Sequence, residues 1–310
     1  MANQHQTHFK NFFWQNIIKP NQRQMDELRE QYHFHPLDVA DCLKPSQRSK
    51  IDVYPEYLFL VLLFPVYDRK TREINASEVD VFISSSYLIT IHRGNLEVFN
   101  EFFNRFQVTA ARRDQYPDKS PEKLFYELLS KLLFYVFPMI DHLGDDCDNI
   151  ERAIFGGREK QMISEILVIR RNVTDLRKIM QVHKNVLKKA VTNFKADPQY
   201  VMKQSDAYFD SLIDYTKEIW DMLENLKERI EALQQTNESQ ISFRLSHIMR
   251  TLTIISVVTF PVTLLATIFG MNTEHAMPFV DNPLGFWYVI GLMLTLAVSM
   301  LAVFKKKGWM

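Results

Sequence analysis

The chain has 310 residues, and its 37 Lys and Arg offset its 37 Asp and Glu, giving zero formal net charge and a sequence pI near 7.1. That size accommodates one or two domains with an ample core, and the neutral balance leaves no basic excess for a nucleic-acid partner. Cys42 and Cys147 are too few and too far apart for a disulfide framework or a zinc site; they read as packing residues kept reduced in a cytoplasmic setting.

Met1 to Lys10 is polar and lacks the apolar run of a signal peptide. Phe12, Phe13, Trp14, Ile17 and Ile18 form a short apolar run ended by Pro20, which predicts a first strand. Asn21 to Tyr32 predicts a polar helix, and His35-Pro36 opens a second one through Cys42. His33 and His35 could ligate a metal, but no third ligand lies near them, so a solvated or hydrogen-bonded pair is the alternative. Tyr57 to Tyr67, Val79 to Ser84 and Tyr87 to His92 are β-rich, with a tight turn at Ser85-Ser86. Residues 1–115 are thus expected to form an α/β sheet domain.

After Gln107 the strand signals become scarce, and residues 116–248 read as a helical stalk. Pro121 begins a helical segment reaching Ile154, and Gly156-Gly157 makes a hairpin tip. Gly156 to Lys160 lacks the glycine spacing and the Lys-Ser/Thr pair of a phosphate loop. Ile166, Ile169, Val173, Leu176, Met180, His183, Leu187 and Ala190 advance by fours and threes, which is a coiled-coil seam. Asp197 and Pro198 are placed to cap and open the next helix, whose seam runs Leu212, Tyr215, Ile219, Met222, Leu226, Ile230 and Leu233. That helix is expected to run unbroken into the apolar region as a stalk or a lever, which look alike in sequence. Asp141, Asp145, Asp146, Asp148 and Glu151 form an acidic run before the hairpin tip, read as a solvated helix face.

From Thr251 to Thr273 there is no Asp, Glu, Lys or Arg, and Asn282 to Phe304 is equally free of charge. Each stretch is long enough to cross the ~30 Å hydrocarbon core of a bilayer. The expected arrangement is a hairpin of two membrane helices, 249–272 and 285–304, joined by the loop 273–284 and followed by the basic tail 305–310. Arg244 and Arg250 precede it and Lys305, Lys306 and Lys307 follow it, whereas the loop carries Glu274 and Asp281 with no Lys or Arg; both termini are then cytoplasmic. Trp287, Tyr288 and Trp309 suit the membrane interfaces. Ser246, Met249, Thr253, Ser256, Phe260, Thr263 and Thr267 share one face of the first span. Such hydroxyls bond a carbonyl one turn back or a neighbouring helix, or they line a watery path if several copies surround an axis. One such helix cannot enclose a pore, so transport requires an oligomer. Phe260, Leu252 and Met249 offer bulky apolar rings for a gate, and Pro261 frees the carbonyl of Val257.

Phe269-Gly270-Met271-Asn272 at the end of the first span, Met277-Pro278 in the loop and the closing Lys305-Lys306-Lys307-Gly308-Trp309 resemble the CorA-type magnesium transporters. His35-Pro36-Leu37, Asp41, Gln47-Arg48 and Lys50 extend the resemblance to the soluble part. It implies a homopentameric channel in the plasma membrane, the inner membrane of a bacterium, taking up Mg2+, with Co2+ or Ni2+ as further cargoes. Gly270, Met271 and Asn272 would be the selectivity filter, and Glu274 and Asp281 would concentrate cations outside it. A ring of Asn272 amides suits Mg2+, which holds its waters tightly and is best gripped through them. The resemblance also implies cytoplasmic Mg2+ sensing between subunits, by Asp41 and an acid on the long helix. The second position is Ser211 here, flanked by Asp210 and Asp214, and Phe269 and Phe279 replace the usual Tyr and acid. It places the acidic helix pair near a basic ring made by Lys305 to Lys307. A zinc transporter of the same architecture and a membrane-anchored, non-conducting sensor or scaffold are the competing readings. No nucleophile-base or metal-ligand constellation points to an enzyme.

Overall fold

Leu58 to Phe64 is apolar at every position, the pattern of a strand covered on both faces. In the computed structural model, which describes residues 4–44, 48–107, 120–196, 206–271, 278–279 and 282–309, six strands form one mixed sheet. They are β1 (Gln4–His8), β2 (Phe13–Ile18), β3 (Lys50–Val53), β4 (Leu58–Asp68), β5 (Glu73–Ile83) and β6 (Tyr87–His92), in the order β1-β2-β6-β5-β4-β3. Only β2 and β6 run parallel. Alternate residues of β4 enter two separate cores: Leu58, Leu60 and Leu62 one, Phe59 and Val61 the other.

The smaller core is covered by α1 (Gln22–Tyr32) and α2 (Pro36–Leu43), through Met25, Leu28, Val39 and Cys42. Asn21 caps α1 in a full capping box with Gln24, and His33 ends it in the left-handed region at φ 56°. His35 then caps α2, its Nδ1 accepting from the amide of Leu37. The two histidines therefore punctuate a helix-to-helix turn. The larger core gathers α3 (Glu97–Gln107), α4 (Pro121–Phe134), α5 (Val136–Phe155), α6 (Glu159–Met180), α7 (His183–Ala196) and the first part of α8 (Asp206–Phe269). Both cysteines are buried and free.

The chain divides into two compact units, Met1–Gln235 and Thr236–Met310. In the first, the buried side of α8 runs through Leu212, Ile219, Leu223, Leu226, Ile230 and Leu233. The second contains the rest of α8 and α9 (Gly285–Lys306). With 64 residues, α8 is ~96 Å long, and it passes Pro261 without a break.

Several elements differ from the sequence reading. The edge strands β1 and β3 and helix α3 were not expected: β1 is polar, and β3 spans four residues, too short for a period to register. The segment expected from Pro121 to Ile154 is two helices separated at Tyr135. Pro138 has no N–H for the carbonyl of Phe134, so a helix through that point loses a hydrogen bond and meets a steric clash. The seam from Ile166 to Ala190 is buried throughout, but it is carried by α6 and α7 with a turn at Gln181-Val182. Asp197 and Pro198 lie outside the described residues.

Candidate functional site

The apolar parts of α8 and α9 are long enough to cross a membrane, and almost none of either is buried. A core helix of a soluble protein would be mostly covered, so these exposed apolar helices are candidate membrane spans. On the apolar part of α8 the half-buried positions are Ile254, Val258, Pro261, Val262, Leu265 and Phe269, all on one face. On α9 they are Val289, Met293, Leu296, Met300 and neighbours, again on one face. Each of the two apolar helices thus has one more sheltered face.

The hydroxyl stripe lies on the other side of α8. Ser246, Met249, Leu252, Thr253, Ser256, Phe260, Thr263 and Thr267 fall within an arc of about 120°, and every one is exposed. Phe260 is the most open of its apolar members, at 71%. Thr253 Oγ1 donates to Met249 O and Thr267 Oγ1 to Leu264 O, both at 2.8 Å. A hydroxyl that donates back to its own helix still offers its lone pairs outward, as an acceptor for water.

At the far end of α8, Gly270 N–H donates to Ala266 O and Met271 N–H to Ile268 O, closing the last turn. A Cβ on Gly270 would lie 3.1 Å from Ala266 O, a crowded position suited to glycine. Asn272, Glu274, Met277 and Asp281 lie outside the described residues. Where the loop resumes, Phe279 has φ 72° and its ring lies 5.9 Å from that of Tyr288. Its carbonyl would sit 1.9 Å from a Cβ on Gly285, so the loop backbone crosses the start of α9 where only a glycine fits. Asn282 accepts there from the amides of Gly285 and Leu284.

The opposite end of α9 stops in a Schellman turn. Gly308 takes φ 69°, its N–H donates to Lys305 O, the Trp309 N–H donates to Phe304 O, and the two rings stack at 5.6 Å. Lys305, Lys306 and Lys307 are left exposed around this cap.

In the first unit, Asp41 sits on α2 with Lys50 Nζ 2.6 Å from its Oδ2, and the same ammonium lies 2.6 Å from Asp52 Oδ2. Burial opposes the Lys50 charge, but its hydrogen bonds to Asp41 and Asp52 outweigh this and hold its pKa above the usual lysine value. Asp38, one turn earlier, is buried and receives the hydroxyls of Tyr54 and Tyr57 at 3.2 and 3.0 Å. Burial raises its pKa, partly countered by those two hydroxyls. Asp210 and Asp214 are exposed on α8, and Ser211 between them turns its hydroxyl back to Tyr208 O. The acidic run is partly neutralised within the unit, since Arg229 of α8 reaches both Asp148 and Glu151. Asp145 and Asp146 line a cleft of about 560 Å³ with Arg69, Arg72 and His142. No cluster of three metal-ligating side chains occurs among the described residues.

The profile of the family described as "CorA-like Mg2+ transporter protein" matches residues 9–306. The chain belongs to that family. It is 27% identical to the "Cobalt/magnesium transport protein CorA" of Thermotoga maritima over 92% of this chain and 80% of that one. Its fold superposes on the complete structure of the CorA magnesium transporter from Methanocaldococcus jannaschii with a TM-score of 0.81, at 18% identity, covering 97% and 92% of the two chains. The ZntB cytoplasmic domain from Vibrio parahaemolyticus shares the fold at a TM-score of 0.62 and 9% identity, over 76% of this chain and 90% of that domain. Against this CorA-like background, sequence reasoning had singled out Asp41 but not its partners. Lys50 counted only as a residue of the family pattern, and Asp52 went unnoticed because its strand did. The loop crossing at Gly285 was also missed, although Asn282-Pro283 followed two residues later by a glycine was a signal for a turn.

Proposed function

We propose that the chain is the subunit of a homopentameric divalent-cation channel that takes up Mg2+ down the membrane potential. In this reading 249–272 lines the pore, 285–304 forms the outer ring, and both termini are cytoplasmic in a bacterial inner membrane. The observation that supports it best is the exposed stripe from Ser246 to Thr267, which faces away from the half-buried side of its own helix and leads towards Gly270-Met271-Asn272. Copies of this face around an axis would enclose hydroxyl acceptors spaced by the apolar rings of Met249, Leu252 and Phe260, a polar path with dry constrictions. Asn272 amide oxygens at its mouth would grip Mg2+ through its water shell, and Glu274 and Asp281 would raise the cation concentration outside. Two charges entering an inside-negative membrane gain ~4.6 kcal/mol per 100 mV, so no coupling machinery is needed.

Cytoplasmic Mg2+ would close the channel by bridging Asp41 of one subunit to Asp210 or Asp214 of the next. Co2+ and Ni2+ are further candidate cargoes. The ZntB-like fold keeps a zinc transporter as the second reading, since the soluble architecture is shared. Flux into liposomes separates these: wild type should pass Mg2+ in preference to Zn2+, and Asn272→Ala should abolish Mg2+ entry while the oligomer stays assembled. Wild-type Mg2+ flux in Asn272→Ala would remove the filter, and no flux in wild type would leave a membrane-anchored sensor or scaffold.

A further inference from the structure

We propose that the Lys50 ammonium is a tethered competitor for the regulatory cation and sets how much Mg2+ is needed to engage Asp41; this rests on Asp41 being a sensor ligand, as proposed above. Lys50 opens β3, the last strand of the sheet, and its Nζ is 2.6 Å from one carboxylate oxygen of Asp41 and from one of Asp52. The Phe59 ring lies 5.1 Å from the same nitrogen. From α7, Lys189 donates to Ile51 O at 3.1 Å and holds the strand that carries Lys50.

A hard divalent ion seeks carboxylate oxygens, and these two are already claimed by a positive charge. Mg2+ and the ammonium repel at such range, so one must leave for the other to bind. The lysine can leave: its side chain is 35% exposed, and its flexible stem can carry the ammonium into water without unfolding the strand. Asp41, at 41% exposure, is open to an ion arriving from solvent or from a neighbouring subunit. Asp38 is not available in the same way, because Tyr54 and Tyr57 occupy its oxygens. Sensing is then an exchange, in which Mg2+ enters as Lys50 swings away, and the two ion pairs given up weaken apparent Mg2+ affinity.

The test is protection of the full-length oligomer from limited proteolysis across a Mg2+ titration. Lys50→Met keeps the stem against Phe59 and removes the charge; it should lower the half-protecting Mg2+ concentration by about tenfold, the scale of two partly exposed ion pairs. Lys50→Gln should do the same. Lys50→Arg should stay at or above the wild-type concentration, and Lys44→Gln, which removes a nearby exposed charge from no ion pair with Asp41, should leave it unchanged. Thermal unfolding without Mg2+ identifies any variant that merely loosens the fold, and the second neutral substitution then supplies the midpoint. If both neutral variants are protected at the wild-type concentration while Asp41→Ala is not protected, the sensor stands and the competitor is overturned. If Asp41→Ala is protected as wild type is, the sensor reading fails and the competitor falls with it.

Discussion

Gly285 and His92 show how single side chains hold local structure. A methyl on Gly285 would lie 1.9 Å from the Phe279 carbonyl, whereas a Cβ on Gly291, further along α9, would meet nothing within 4 Å. Gly285→Ala is therefore expected to displace the loop and reduce Mg2+ uptake severalfold, with Gly291→Ala near wild type; equal uptake by both would show that the crossing does not matter. His92 is buried, its Nδ1 accepts from the Gly94 amide at 3.0 Å, and its Nε2 finds no hydrogen-bond partner among the described residues. Burial lowers its pKa from 6.5 to about 4. The unfolded chain thus binds the proton more readily than the folded one between these values. Its contribution is fully present above pH 6.5 and is lost as pH falls towards 4, by up to about 3 kcal/mol. Urea unfolding of His92→Gln should be flatter over that window than wild type. The sequence did carry a turn signal here, Asn282-Pro283 with Gly285 two residues on, which the reading did not use. Which carbonyl crosses that glycine was not legible, because the contact depends on the path of the loop.

Helix α8 combines two different surfaces along one axis. Its first half repeats apolar residues at seam spacing and is buried; its second half is exposed and carries the stripe. Both patterns were visible as periodicity, because a helix turns side chains of fixed spacing onto one face. The breaks were harder to see. Pro138 lies just after the break between α4 and α5, while Pro261 is accommodated inside α8, so a proline by itself did not mark where a helix ends. For the stripe, Phe260→Ala should raise the Mg2+ leak at high internal Mg2+, since a wider ring stays wetted more easily. An unchanged leak in proteoliposomes would move the gate to another position.

At the scale of the whole molecule, one helix, Asp206–Phe269, contributes Asp210 and Asp214 to the first compact unit and the hydroxyl stripe to the second. If Mg2+ holds neighbouring subunits together through these acids, its loss restores repulsion between like charges and lets the rods splay. Ser211→Asp adds a carboxylate between Asp210 and Asp214 and should make the oligomer resist proteolysis at lower Mg2+ than wild type. The same titration in both chains checks this, and coincident curves would place Ser211 outside the sensor.

The sequence alone determined the membrane hairpin, the stripe, the seams, the two flanking basic clusters and the family, because each is a pattern of neighbouring residues read at a fixed period or a short motif. Charge-free length announces a span wherever it occurs, and helical spacing announces a face whatever packs on it. Only the tertiary structure decided that β4 feeds two cores, that His33 and His35 are helix caps, that Lys50 joins Asp41 to Asp52, and that Arg229 answers Asp148 and Glu151. Those pairings join residues from different elements, and the distance between two charges is set by how the elements pack. Local periodicity carries no information about it.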